Sequence, residues 1–326
     1  PATIAADSHG ARAMHWKTKA LIQNLIARLP DPPRQSVYHA LQRRFGGAEL
    51  FDPVPQFRAG IEMARRMVAA GGDPTGATVV EVGTGRRIAT PLALWLAGAQ
   101  RTLTVDLNPY LREDLVRADL AHLAARSEAI VAWFREAGLE AVPQRLARFE
   151  ALARAGLQDI LEATGITYHS PGDARALPLG DGEADLHVSF NVLEHIEPAI
   201  LGPILAEGGR VTRGRGWLLH RVDYTDHFAH SDPSITMVNF LQYPEGRWRR
   251  YAGNPFMYMN RLRVDDMEAL FREQGLAVLD VDAREDEAGR AAIEAGMALA
   301  VPFADKPVAV NATADSWILA RAAENE

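Results

Sequence analysis

The 326-residue sequence predicts an α/β fold, a mostly parallel sheet with helices on both faces. Two observations carry that reading. From residue 77 to about residue 281, short β-rich runs alternate with helix-patterned segments, as βα units require. The first of those runs then ends in Gly83-Thr84-Gly85, two glycines where a strand gives way to a helix. With 48% hydrophobic residues, the chain can build one large domain with helical additions.

Taken in order, the first segment is helical. Leu21, Ile22, Leu25, Ile26 and Leu29 recur at i, i+3 and i+4 until Pro30 stops them. A second helix is expected through Val37, Tyr38, Leu41 and Phe45, and a third from Phe57 to Ala70. Residues 1–72 therefore read as an N-terminal helical extension and 73–326 as the main domain. Strands are expected at Ala77–Val82, Thr102–Asp106, Ile166–Tyr168, Ala184–Phe190, Gly216–His220 and Leu276–Val281. A last one at Ser316–Ala320 is expected as an antiparallel edge. Asp265 and Glu268 suggest a capping box for a helix ending at Gly275. Between Asp106 and the third strand lie far more residues than one crossover helix needs. Leu120, Leu123, Ile130, Phe134 and Phe149 give them apolar faces, so a helical insertion at about 111–164 is expected, a cap over the site.

Charge narrows the function. The balance of 35 basic against 42 acidic residues gives −7, which offers no footprint for nucleic acid or an anionic membrane. With no cysteine, disulfides, thiolate metal sites and a Cys nucleophile are excluded. No apolar run reaches the ~18 residues of a membrane span. The expectation is a cytoplasmic protein acting on a small-molecule substrate, with a homodimer as one arrangement and no metal.

Glycines at a strand–helix junction let a ligand approach the backbone. Glu81 stands just before them. Asp106 ends the next strand, where a carboxylate can accept from both ribose hydroxyls. Gly172-Asp173-Ala174 follows the third strand, where an Asp can meet an adenine amino group. A dinucleotide fold would want a third glycine where Ile88 stands. The helix also reads as starting late, with Thr90 as N-cap and Pro91 at N1. A helix so displaced is poorly placed for a pyrophosphate, and a nucleoside without phosphate fits better.

Four ordered motifs, VEVGTG (80–85), VDLN (105–108), GDA (172–174) and SFNVLEHI (189–196), resemble class I S-adenosylmethionine-dependent methyltransferases. The VLEHI element is similar to a small-molecule subgroup that includes ubiquinone methyltransferases. The resemblance implies a Rossmann-like seven-stranded sheet and S-adenosylmethionine as cofactor. It implies that Glu81, Gly83 and Gly85 contact the donor's methionine part and Asp106 its ribose. Asp173 and Ala174 would border the adenine, and Asn191 the sulfonium. The departure is Arg87, where many members have glycine; its side chain is expected along the outer side of the loop. A fainter likeness joins Leu29-Pro30, Tyr38, Leu41-Gln42 and Phe45-Gly46 with Asp226-His227-Phe228 and Asn260–Arg263. It points to bacterial methyltransferases of polysaccharide or natural-product pathways.

Ligands of open α/β sheets sit outside the carboxyl ends of the strands. The loops after strands four and five therefore supply the candidates for proton removal, His195, Asp223 and His227. Each also has a loop-ordering reading. Residues 239–263 are rich in aromatic and amide side chains. Tyr243, Trp248, Tyr251 and Tyr258, with Arg261, suit an acceptor-binding wall or a packed excursion. The expected reaction is methyl transfer to a hydroxyl or amine of a small metabolite. A non-catalytic binding protein of the same fold and an NAD-dependent oxidoreductase are the alternatives.

Overall fold

A computed structural model describes residues 14–30 and 52–323. The helix expected through Val37, Tyr38, Leu41 and Phe45, and the likeness carried by those positions, lie outside the described residues. Helix α1 spans Trp16–Ile26 and α2 Val54–Ala69. Strand β1 (Thr78–Val82) leads to α3 (Ala89–Leu96), and β2 (Arg101–Val105) follows. Five helices come next: α4 (Glu113–Ala124), α5 (Ser127–Glu136), α6 (Pro143–Leu146), α7 (Phe149–Leu152) and α8 (Leu157–Thr164). They are the expected insertion. After them run β3 (Ile166–His169), β4 (Leu186–Phe190), α9 (Pro198–Val211), β5 (Trp217–Asp223), α10 (Glu245–Ala252) and α11 (Val264–Glu273). Strand β6 (Leu276–Glu285), α12 (Glu287–Glu294), α13 (Val308–Ala312) and β7 (Thr313–Ala322) complete the described chain.

The seven strands form one sheet in the order β3-β2-β1-β4-β5-β7-β6. Pairings from β3 through β5 are parallel, and β7 runs antiparallel to β5. The Rossmann-like seven-stranded sheet expected from the resemblance is the observed one. Strand β7 differs from expectation in place: it lies between β5 and β6, and β6 takes the edge. Burial explains the swap. Residues of β7 are almost wholly buried, whereas β6 is mostly exposed, as an edge strand should be, and its Asp280 and Asp282 pair with Arg66 of α2.

Contacts divide the chain into two units, interleaved in sequence. Of the described residues, one comprises 52–223, 264–283 and 315–323; the other comprises 14–30, 224–263 and 284–314. The first holds the sheet. Its main core joins Phe57 and Met63 of α2 and Leu92 and Trp95 of α3 to Leu120, Phe134, Phe149 and Ile160 of the insertion. Trp95 stacks on Phe149 with ring centroids 6.3 Å apart. The insertion is thus part of the sheet unit's core and is not a freely opening cap. Several large apolar side chains would have to leave that core for it to lift, each at ~1.5–3 kcal/mol.

In the second unit, Trp16 of α1 packs on Phe228, Tyr243, Trp248 and Tyr251. The fully buried Arg263 organises the backbone there. Its guanidinium donates to the carbonyls of Tyr224, Asn311 and Thr313, and it lies over the rings of Tyr224 and Phe240. Charge-assisted bonds to these carbonyls tie two separate stretches of chain, around Tyr224 and Asn311–Thr313, to the one that carries Arg263.

Local signals differ from expectation at two helix starts. Thr90 lies inside the first turn of α3 and donates its hydroxyl to the Gln56 carbonyl, while Ile88 takes the cap position. Asp265 lies inside α11, and Glu268 accepts from Arg272. In both cases a side chain or tertiary partner outcompetes the local cap.

A buried histidine pair links the two central strands. His187 Nδ1 lies 3.2 Å from His220 Nε2, and His220 Nδ1 lies 2.7 Å from Ser189 Oγ. Both rings are fully buried, and burial holds both below the usual imidazole range, His187 at about 4. The folded value lies below the unfolded 6.5, so neutral His187 contributes stability that is complete above about pH 6.5. That contribution is lost as pH falls through about 4. Replacing His187 by Gln keeps a partner for His220 but removes the titration. The wild type's margin in Tm over His187→Gln should narrow as pH is lowered from 6.5 to 4; a margin constant with pH would contradict it.

Candidate functional site

The sheet order reverses direction between β1 and β4, and the carboxyl ends of β1, β2 and β4 meet there. Such a switch point opens a crevice for ligand. Gly83 (φ +85°) and Gly85 (φ +64°) turn the chain away from β1. Gly83 is needed on two counts. Its positive φ disfavours a side chain, and a Cβ there would lie 2.5 Å from a Val192 methyl. Val192 belongs to the turn after β4, so the VGTG and NVLEHI motifs interlock through a missing side chain. A Cβ at Gly85 would meet no atom of the described residues within 4 Å, which leaves room for a ligand on that face of the loop.

Asp106 fixes the loop from β2. Its carboxylate accepts from the Gly85 amide at 2.8 Å and the Asn108 amide at 3.1 Å. A carboxylate has about four acceptor sites, so these two bonds leave capacity for a ribose diol. Burial raises its pKa, and the backbone amides oppose the rise. Glu81 is almost fully buried. Parallel register sets it beside Thr104, whose hydroxyl donates to it at 2.6 Å and lies 2.5 Å from the Thr84 hydroxyl. Burial pushes the Glu81 carboxyl up to about 8, and the charge of Asp106 adds to the rise.

The Asp173 carboxylate, half-exposed, holds the Arg175 guanidinium in a fork at 2.7 and 2.9 Å. That bond keeps its pKa low. Ala174 is buried beside it. The Gly172 amide donates to the Asp106 carbonyl at 2.9 Å, so the loops after β2 and β3 are tied together. Asn191 adopts a left-handed backbone (φ +56°), which Asn tolerates better than most residues. Its side-chain oxygen accepts from Arg221 at 2.5 Å, and Arg221 also pairs with Asp315 at 3.2 Å. Glu81, Gly83, Gly85, Asp106, Asp173, Ala174 and Asn191 all stand at the carboxyl ends of β1 to β4.

Arg87 does not lie along the outer side of the loop. It turns inward and forms an ion pair with Asp119 of α4, whose side chain is buried. Burial raises the Asp119 carboxyl to about 6, and the Arg87 charge opposes that rise. The pair anchors the loop to the insertion at the position where many members of the resembling family have glycine.

The remaining candidates fall in different places. Asp223 ends β5 in the sheet unit, and His195 sits half-exposed in the turn after β4. His227 belongs to the other unit, its ring 5.2 Å from that of His230. Tyr243, Tyr251 and Tyr258 are half-buried in that unit. Trp248 and Arg261 are buried. Arg261 donates to the Phe240 and Tyr243 carbonyls and pairs with Glu245 at 2.5 Å. Residue types alone did not single out Thr104, Val192 or Arg221. The β1/β2 register would have found the first, since it sets Thr104 beside Glu81.

No protein-family model matches the chain, and no curated protein matches it. Solved structures do. Magnesium protoporphyrin IX methyltransferase from Synechocystis, with S-adenosylhomocysteine bound, is similar at 10% identity over 94% of this chain and 99% of that one, with a TM-score of 0.45. Geranyl diphosphate methyltransferase, in complex with S-adenosylmethionine, is similar at 12% identity over 92% and 95%, with a TM-score of 0.43. An S-adenosylmethionine-dependent methyltransferase from Mesorhizobium loti is similar at 14% identity over 80% and 99%, with a TM-score of 0.40. At such scores none of them fixes a donor, acceptor or mechanism for this chain. Strand order and the antiparallel β7 agree with the class I methyltransferase architecture that the motifs implied.

Gly83→Ala should destabilise the protein by about 2–4 kcal/mol, from backbone strain plus the clash with Val192. Urea unfolding checks this; a loss under ~0.5 kcal/mol would show that the two loops do not interlock.

Proposed function

We propose that this chain transfers a methyl group from S-adenosylmethionine to a hydroxyl or amine of a small metabolite. The observation that carries the reading is the Gly83–Gly85 turn, held open toward ligand by Asp106 at the switch point of the sheet. The open face at Gly85 and the spare acceptor sites on Asp106 fit a nucleoside. When bound, the donor supplies an electrophilic methyl on a cationic sulfur.

The chain's own residues do the rest. Asp106 would orient the ribose, Asp173 and Ala174 would border the adenine, and Glu81 with the Gly83–Gly85 backbone would receive the methionine part. The Arg87–Asp119 pair and the Thr104 hydroxyl hold that cradle in shape before the ligand arrives, which lowers the ordering cost of binding. Positioning and exclusion of water supply most of the rate in a displacement of this kind. A hydroxyl acceptor must also lose a proton, for which His195, Asp223 and His227 are our candidates. The half-buried rings of Tyr243, Tyr251 and Tyr258 are proposed to meet the acceptor. Trp248 and Arg261, spent on packing and on Glu245, would support them. The late start of α3 leaves no helix N-terminus at the glycines for a pyrophosphate, which disfavours a nicotinamide dinucleotide.

Calorimetry with S-adenosylmethionine and S-adenosylhomocysteine tests the reading. Asp106→Ala should weaken both by ~100-fold, as expected for charge-assisted bonds to a ribose diol. His227→Ala should leave both affinities unchanged and slow homocysteine release in a coupled assay over a panel of phenols and amines. Absence of donor binding by the wild type would sink the proposal.

A further inference from the structure

Glu194 sits in the short turn Leu193–His195 after β4, three residues beyond Asn191. Its side chain is 3% exposed, and neither carboxylate oxygen has a side-chain hydrogen-bond partner; only the backbone amides of Glu194 itself and Asp223 act on it. Few buried polar groups are left in that state, and each calls for a physical reason. The neighbours in the sheet unit do not satisfy it. Arg221 is committed to Asn191 and Asp315, and His195 Nε2 stands 4.0 Å from Oε1. Burial raises the carboxyl well above its usual range and the Asp223 charge adds to that, while the Glu194 and Asp223 backbone amides and the Arg221 charge oppose it. The turn itself is rigidly placed: Val192 seats on Gly83, and the Asn191 amide donates to the Arg221 carbonyl at 3.0 Å. An acid is therefore held, without a side-chain partner, at the carboxyl end of β4 beside the donor cradle.

We propose that Glu194 is the counter-charge for the donor's sulfonium, and so the residue by which the chain tells S-adenosylmethionine from S-adenosylhomocysteine. This rests on the methyltransferase reading above. A sulfonium carries positive charge but no N–H or O–H, so its partner needs proximity and low dielectric, not hydrogen-bond geometry. The Glu194 carboxyl, which burial keeps towards its neutral form in the free protein, releases its proton to solvent as the cation arrives. The resulting carboxylate supplies that, because Coulomb attraction strengthens as water is excluded. In the transfer, an acceptor lone pair forms the new bond to the methyl carbon while the carbon–sulfur bond breaks. Its electron pair stays on sulfur, which becomes neutral. The attraction to Glu194 then disappears, and product is held less tightly than donor. Burying an acid that lacks a partner in the free protein is thus compensated only when the cationic ligand is present.

Calorimetry on wild type and Glu194→Gln with three ligands tests this. Glu194→Gln should bind S-adenosylmethionine at least tenfold more weakly and S-adenosylhomocysteine within twofold of wild type. Should the variant not fold, wild type decides alone. Sinefungin, with an amine cation near the sulfonium position, should bind it more tightly than S-adenosylhomocysteine. Equal losses for both ligands in Glu194→Gln, no loss for either, or no preference of wild type for the cationic ligands would overturn the assignment while leaving the methyltransferase reading in place. If wild type binds none of the three, both fall together.

Discussion

The bond from the Gly85 amide to the Asp106 carboxylate is the constraint on which the rest of the candidate site depends. It joins the carboxyl ends of β1 and β2, so the turn after β1 cannot relax into an ordinary strand–helix connection. Gly83 then lies where Val192 can pack against it, which brings the turn after β4 into the same assembly. The Gly172 amide, bound to the Asp106 carbonyl, adds the loop after β3. One aspartate thus ties three loops through its side chain and backbone. Removing it would cost geometry as well as ligand contact.

A second feature is the concentration of acids in low dielectric around that constraint. Glu81, Asp106, Asp119 and Glu194 are all raised by burial. They are managed differently: Thr104 serves Glu81, backbone amides serve Asp106, and Arg87 serves Asp119. Glu194 has no side-chain partner for either oxygen and only backbone amides near it. Among the four, the Asp106 charge adds to the rise at Glu81, as neighbouring carboxylates disfavour each other's charged form.

Much of this was legible in the sequence because its signals were local. Alternating runs gave the strands, an overlong connection gave the insertion, and Gly83, Gly85 and Asp106 marked the cradle. What stayed hidden depended on tertiary partners. Ser316–Ala320 reads as a strand, but its place between β5 and β6 follows from burial on both faces. Thr90 has the chemistry of a cap, yet Gln56 of α2 takes its hydroxyl. Arg87 reads as a surface residue until α4 brings Asp119 beneath it. Glu194 is one letter of a motif in sequence, and only the fold shows that it is buried without a side-chain partner. The aromatic run from Tyr243 to Tyr258 was legible as composition; its division into buried supports and half-buried rings was not.

The central claim is that Asp106 and the glycine turn form a nucleoside cradle. A crystal structure with S-adenosylhomocysteine tests it most directly. The account predicts both ribose hydroxyls on the Asp106 carboxylate, with the amino-acid part above Gly83 and Gly85. An adenosine bound elsewhere, with Asp106 still engaged only by the backbone amides of its own loops, would contradict it.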